Sequence, residues 1–99
     1  MNDHQINPYV KRACKYGETY ARQLFSQFLD NVNFRGSKFK WGKFSDMCGQ
    51  IASAGVFTLY SDKEWWSFTH EGRKSLGEFA YQAATTEAEK LVKKSRVVE

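Results

Sequence analysis

The side chains with the most chemical potential in this chain are cations and aromatics, and they interleave. Phe34, Arg35, Lys38, Phe39, Lys40 and Trp41 alternate the two types, and Lys43 follows. Residues 31–45 thus carry Arg35, Lys38, Lys40 and Lys43 with no acid among them. Such a segment attracts phosphate backbones or an acidic protein surface, and aromatics between the cations add faces on which bases can stack. The plainer alternative is a solvated loop with Phe39 and Trp41 folded into a core. Residues for catalysis are sparse. The two histidines are His4 and His70, and no nucleophile, base and acid stand at a readable spacing. Gly36, Gly42 and Gly49 are scattered and do not form a phosphate-cradling loop. Cys14 and Cys48 lie far apart, with no second pair of ligands at zinc spacing. Both read as small apolar packing residues on helices, although Lys11 and Lys15 flank Cys14. The expectation is a chain that is not an enzyme, with no cofactor and no metal.

The 99 residues suit one domain, 1–99. Aromatic residues make up 16% of the chain and hydrophobic residues 41%, which excludes intrinsic disorder. No apolar run approaches the ~20 residues that span a bilayer, so no membrane partner is expected. The start, Met1 to Gln5, lacks the basic and apolar stretches of a secretory signal, and a cytoplasmic location is the expectation. The net charge is +4. All of it resides in residues 1–50, with eight basic and four acidic side chains, because 51–99 hold seven of each.

Periodicity then supplies the elements that must position these residues. Asn7 is a cap and Pro8 a first-turn residue for a helix over 8–29. Val10, Ala13, Gly17, Ala21, Leu24 and Phe28 recur at helical steps along it. Tyr9, Tyr16, Tyr20, Phe25 and Leu29 widen the stripe, which implies one thick core helix or packing on two sides. Lys38 to Trp41 lie in an extended segment, 37–41. A helix over 43–54 buries Phe44, Met47, Cys48, Ile51 and Ala54, leaving Lys43, Asp46, Gly49, Gln50 and Ser53 outward. Residues 56–69 read as a β-hairpin turning at Ser61-Asp62-Lys63-Glu64. Its alternation sends Phe57, Leu59, Trp66 and Phe68 into the core and Trp65 outward beside Tyr60. Thr69 caps a last helix over 70–94, with a bend or restart at Thr85-Thr86. The fold class expected is α+β, in the order helix, short strand, helix, β-hairpin, helix.

The stretch 50–81 resembles the second half of a winged helix-turn-helix domain. Gln50-Ile51-Ala52-Ser53-Ala54-Gly55-Val56-Phe57 is similar to a recognition helix running through a glycine into the first wing strand. Phe68-Thr69-His70-Glu71-Gly72-Arg73-Lys74-Ser75-Leu76 is similar to the step by which the last wing strand enters a C-terminal helix. The resemblance implies a small winged-helix-like transcriptional regulator that binds double-stranded DNA. Gln50 and Ser53 would then reach base edges in the major groove. Arg35, Lys38, Lys40 and Lys43 would contact phosphates, with Lys63 the cation of an otherwise acidic wing tip. The long first and last helices would pair two copies into a homodimer. Two further readings stand beside it. One is a protein-interaction module, a small adaptor or inhibitor of a larger complex, using Phe34, Phe39, Trp41 and Trp65. The other is single-stranded nucleic acid binding by the 34–41 segment.

Overall fold

Buried residues recur at every fourth position in each of the three longer helices. The computed structural model describes residues 3–30 and 43–95, with side chains placed over 8–28 and 43–94. Helix α1 spans Asp3–Asp30, α2 Phe44–Gly55, a 3-10 turn Val56–Leu59, α3 Asp62–Ser67 and α4 His70–Ser95. Ala13, Gly17, Ala21 and Phe25 form the buried row of α1. Phe44, Cys48 and Ala52 form that of α2, and Val56 extends it into the turn. Leu76, Ala80, Ala84, Ala88 and Val92 form that of α4. Rows at this spacing are the ridges by which helices pack into one another's grooves.

Contacts fix the directions. Tyr9 meets Phe68, the Cys14 thiol faces the Phe79 carbonyl, and Arg22 binds Glu87. Residue numbers rise together on both sides, so α1 and α4 run parallel. Across α2 and α4 they run in opposition, with Ser53 beside Gly77 and Gly49 beside Tyr81 and Thr85. Phe44 packs on Phe25 and Phe28, while Gly55 lies against Tyr16. α2 is therefore antiparallel to both long helices. The α1 helix, about 42 Å long at 1.5 Å per residue, nearly fills the 47 Å long axis.

The seam between α1 and α4 is made of Ala and Gly. A Cβ on Gly17 would stand 2.5 Å from the Ala80 carbonyl oxygen and 3.0 Å from the Ala84 nitrogen. The two backbones touch there. Gly49 plays the same role between α2 and α4, since a Cβ would fall 2.6 Å from Thr85 Cγ2 and 2.7 Å from the Tyr81 ring.

Several expectations are corrected. No strand occurs among the described residues, so the class is all-helical and not α+β. The expected hairpin over 56–69 is a 3-10 turn followed by a short helix. Ser61-Asp62-Lys63-Glu64 is a capping box and not a hairpin turn. The Ser61 Oγ accepts from the Glu64 N–H at 3.1 Å, and Glu64 Oε1 accepts from the Ser61 N–H at 2.9 Å. Helical geometry replaces the alternation of a strand. Phe68 is buried and Leu59 half-buried, but Phe57 and Trp66 are 53% and 70% exposed. Trp65 turns inward onto the core instead of outward. On α2 the buried face is rotated from the expected one, leaving Ile51 and Ala54 exposed while Gly49 is buried. A face of small residues packs closest, and here it packs on α4. α1 begins before Asn7 and carries Pro8 inside it. Proline there removes a single N–H near a helix end. α4 passes through Thr85-Thr86 without a break, since the Thr85 hydroxyl bonds the Gln82 carbonyl at 3.0 Å and its methyl meets the Gly49 position. The extended segment expected over 37–41 lies outside the described residues.

Gly17→Ala will destabilise the protein by about 1–3 kcal/mol through overpacking, outweighing a gain of about 1 kcal/mol in helix propensity. Urea denaturation measures the difference. A variant as stable as the parent would mean that α1 and α4 do not touch at this point.

Candidate interaction surface

Of the residues expected to meet nucleic acid, Lys43, Gln50, Ser53 and Lys63 are described. Arg35, Lys38 and Lys40 lie outside the described residues, as do Phe34, Phe39 and Trp41. Lys43 is exposed at the entry to α2, and Lys63 is exposed on the first turn of α3. Gln50 is exposed, but its Nε2 donates to Asp46 Oδ2 at 2.8 Å. The Tyr81 hydroxyl donates to Oδ1 of the same carboxylate at 2.5 Å, and that bond raises the Tyr81 pKa. Ser53 is half-buried against Gly77. The α2 face that carries Asp46, Gly49 and Ser53 is thus turned toward α4. The first and last helices, expected to pair two copies, pack on each other within one chain.

One cluster of aromatics gathers where the 3-10 turn and α3 meet the starts of α1 and α4. Trp65 stacks on Tyr60 with centroids 6.0 Å apart and meets Phe57 and Phe68 edgewise or tilted. Tyr9 joins Tyr60 and Phe68 from α1. The Tyr60 hydroxyl donates to the Tyr9 carbonyl at 2.7 Å, and burial pushes its pKa up to about 12. Arg12 clasps the outside of this cluster. Its guanidinium lies 5.2 Å from the Tyr60 ring centre, donates to the Leu59 carbonyl at 3.0 Å and sits 3.7 Å from Glu64. The Glu64 carboxyl is lowered, first by the Ser61 N–H it accepts and then by Arg12.

The run from Phe68 to Leu76, which resembles a wing-to-helix step, is the corner between α3 and α4. Thr69 Oγ1 accepts from the Gly72 N–H at 2.9 Å and so caps α4. Arg73 reaches back from α4 and donates to the Phe68 carbonyl at 2.7 Å and the Trp65 carbonyl at 3.4 Å. It thereby satisfies carbonyls at the end of α3. The same guanidinium lies 5.0 Å from the Trp66 ring centre, holding that exposed ring against the corner.

Beside the corner, α2, the turn, α3 and α4 enclose an open groove of about 520 Å³. Buried Val56 and Gly77 form its floor. Phe57 and Trp65 form its aromatic wall, and His70, Arg73, Lys74 and Glu78 its rim. Trp65 is among the residues expected at a contact surface, whereas Phe57 and Trp66 were expected in the core and are exposed. The capping box was the available signal. It places Trp65 and Trp66 in succession on a helix, about 100° apart, so the two rings point in different directions.

The Cys14 thiol is raised by burial and by Glu18, and burial carries Cys48 to about 11. Among the described residues no three His, Cys, Asp or Glu stand together as a metal site. No described helix is long and apolar enough to cross a membrane. No family model matches the chain, and neither a curated protein nor a solved structure shows significant similarity to it.

Burial of the Tyr60 hydroxyl gives a pH signature. Its folded pKa lies above the ordinary value near 10, so its contribution is intact below pH 10 and is lost as pH rises through about 12. Thermal melts will show stability falling over that range. Tyr60→Phe will cost about 1 kcal/mol at neutral pH and flatten the alkaline loss. An unchanged alkaline profile in the variant would remove Tyr60 from that role.

Proposed function

We propose that this chain is a protein-interaction module, and that it docks a partner through the aromatic corner and its groove. The observation that carries this reading is the exposure of Trp66 and Phe57 beside a groove whose wall includes Trp65. Large apolar rings placed in water raise the free energy of the unbound state, and Trp and Arg dominate interface energetics where they are found. A volume of about 520 Å³ falls in the range of ligand-binding pockets. Arg73 supports the reading too, because it orders Trp66 in advance and lowers the entropy lost on binding.

Panning a random-peptide phage library on the immobilised protein tests it. Enriched clones will bind the parent and lose about tenfold or more in affinity on Trp66→Ala, the size of a modest hot spot. The melting temperature of that variant will stay unchanged, since the ring is exposed. Clones that bind Trp66→Ala and Phe57→Ala as tightly as the parent would place the docking site elsewhere.

A second reading is binding to duplex DNA. Its support is the charge, with four cations and no acid in 31–45 and with Lys11 and Lys15 exposed on α1. It predicts that anisotropy of a labelled random duplex will rise with protein and that the affinity will fall steeply with salt. Lys40→Ala and Lys43→Ala will weaken that binding for every sequence. A salt-insensitive or absent signal ends this reading.

A further inference from the structure

The rim of the groove has an electrical direction. His70, Lys74 and Glu78 form one row along α4 at four-residue steps, and Arg73 and Gly77 form the row beside it. The basic residues stand toward the start of α4 and the acid stands farther along. Lys74 and Glu78 make no ion pair with each other or with any other described residue, although they are placed to do so. Arg73 spends Nη1 on the Phe68 and Trp65 carbonyls and lies over the Trp66 ring, and its other nitrogens donate to no described acceptor. A groove with an apolar floor, an aromatic wall and a split-charge rim is complementary to a peptide of a particular order.

We infer that the groove takes a short segment of a partner protein in which a large apolar side chain adjoins an acidic residue. This inference rests on the interaction-module reading above. The apolar side chain lies over Val56 and Gly77, between Phe57 and Trp65. The carboxylate lies on Lys74 and Arg73, toward the start of α4, and the opposite end of the segment offers N–H groups or a cation to Glu78. Charge also separates this occupant from a nucleic acid strand. A strand of phosphates crossing the corner would meet Glu78 on the rim, Asp62 on the first turn of α3 and Glu71 on that of α4. A peptide needs only one carboxylate at one end and can use the acid at the other.

The test pans the same random-peptide library on the parent and on Lys74→Glu, and measures selected peptides by anisotropy with oligothymidylate as competitor. The parent will enrich peptides with Asp or Glu next to an aromatic or Leu. Replacing that acid by its amide will weaken binding about two- to fivefold at low salt, the range of an exposed ion pair, and the difference will shrink as salt is added. Lys74→Glu will lose the acidic clones and enrich basic ones. Because Lys74 is exposed, the variant will keep the parent's circular dichroism and melting temperature. Clones with no charge preference, unaffected by Lys74→Glu, would overturn the inference and leave the interaction reading standing. No enrichment on either protein would overturn both. Displacement of the peptide by oligothymidylate would replace the peptide with a single strand as occupant.

Discussion

The contact of α1 with α4 at Gly17 is the constraint from which the remaining architecture follows. Two backbones can approach so closely only where side chains are absent or are single methyl groups, and Ala13, Gly17, Ala21, Ala80, Ala84 and Ala88 provide that. The pair is also parallel. Consecutive antiparallel helices are joined by a few residues, but parallel ones force the chain back along their whole length before the second begins. α2, the 3-10 turn and α3 are that return. They run from Phe44, against Phe25 and Phe28, to Phe68, against Tyr9. Breaks at Val56–Leu59 and at Ser61 let the return arm bend around the start of α1 and reverse into α4.

The core is accordingly thin at the waist and thick at its ends. Alanine and glycine occupy the middle. Phe25, Phe28 and Phe44 fill one end, and Tyr9, Tyr60, Trp65 and Phe68 fill the other. Small residues add little buried area, so dispersion along the closely packed backbones and the aromatic ends carry the apolar stabilisation. The second end is where the chain reverses, and a reversal cannot bury every ring it carries. Phe57 and Trp66 are the remainder, and the groove lies beside them.

Much of the helical framework was legible in the sequence. Periodicity located α1, α2 and α4 to within a few residues, and Thr69 is the cap it was expected to be. The stretch 56–69 was misread for a physical reason. Val56 to Tyr60 and Trp65 to Thr69 are rich in β-branched and aromatic residues, whose strand preference expresses packing surroundings more than backbone demand. Ser61 and Glu64 stated the opposite preference locally, and the capping box prevailed. The rotated face of α2 has a related cause. Hydrophobicity alone placed Ile51 and Ala54 inward, whereas closeness of approach selected Gly49 and Ala52. Of the candidate site, Trp65 was singled out in the sequence, although as an outward ring and not as one turned onto the core. Phe57 and Trp66 were not, because their exposure depends on the helical state of α3. The basic and aromatic residues of 34–41 lie outside the described residues.

The parallel course of α1 and α4 also governs how the molecule bears load. The start of α1 lies at the aromatic end and the end of α4 at the opposite one, so tension applied between them runs along the seam and not across it. Every touching pair from Ala13 to Ala88 then resists at once, as in a lap joint. An antiparallel pair pulled from adjacent ends would instead unzip, each contact failing in turn. The backbone contact at Gly17, which admits no side chain in equilibrium packing, becomes under force the point where sliding one helix past the other meets the next methyl group.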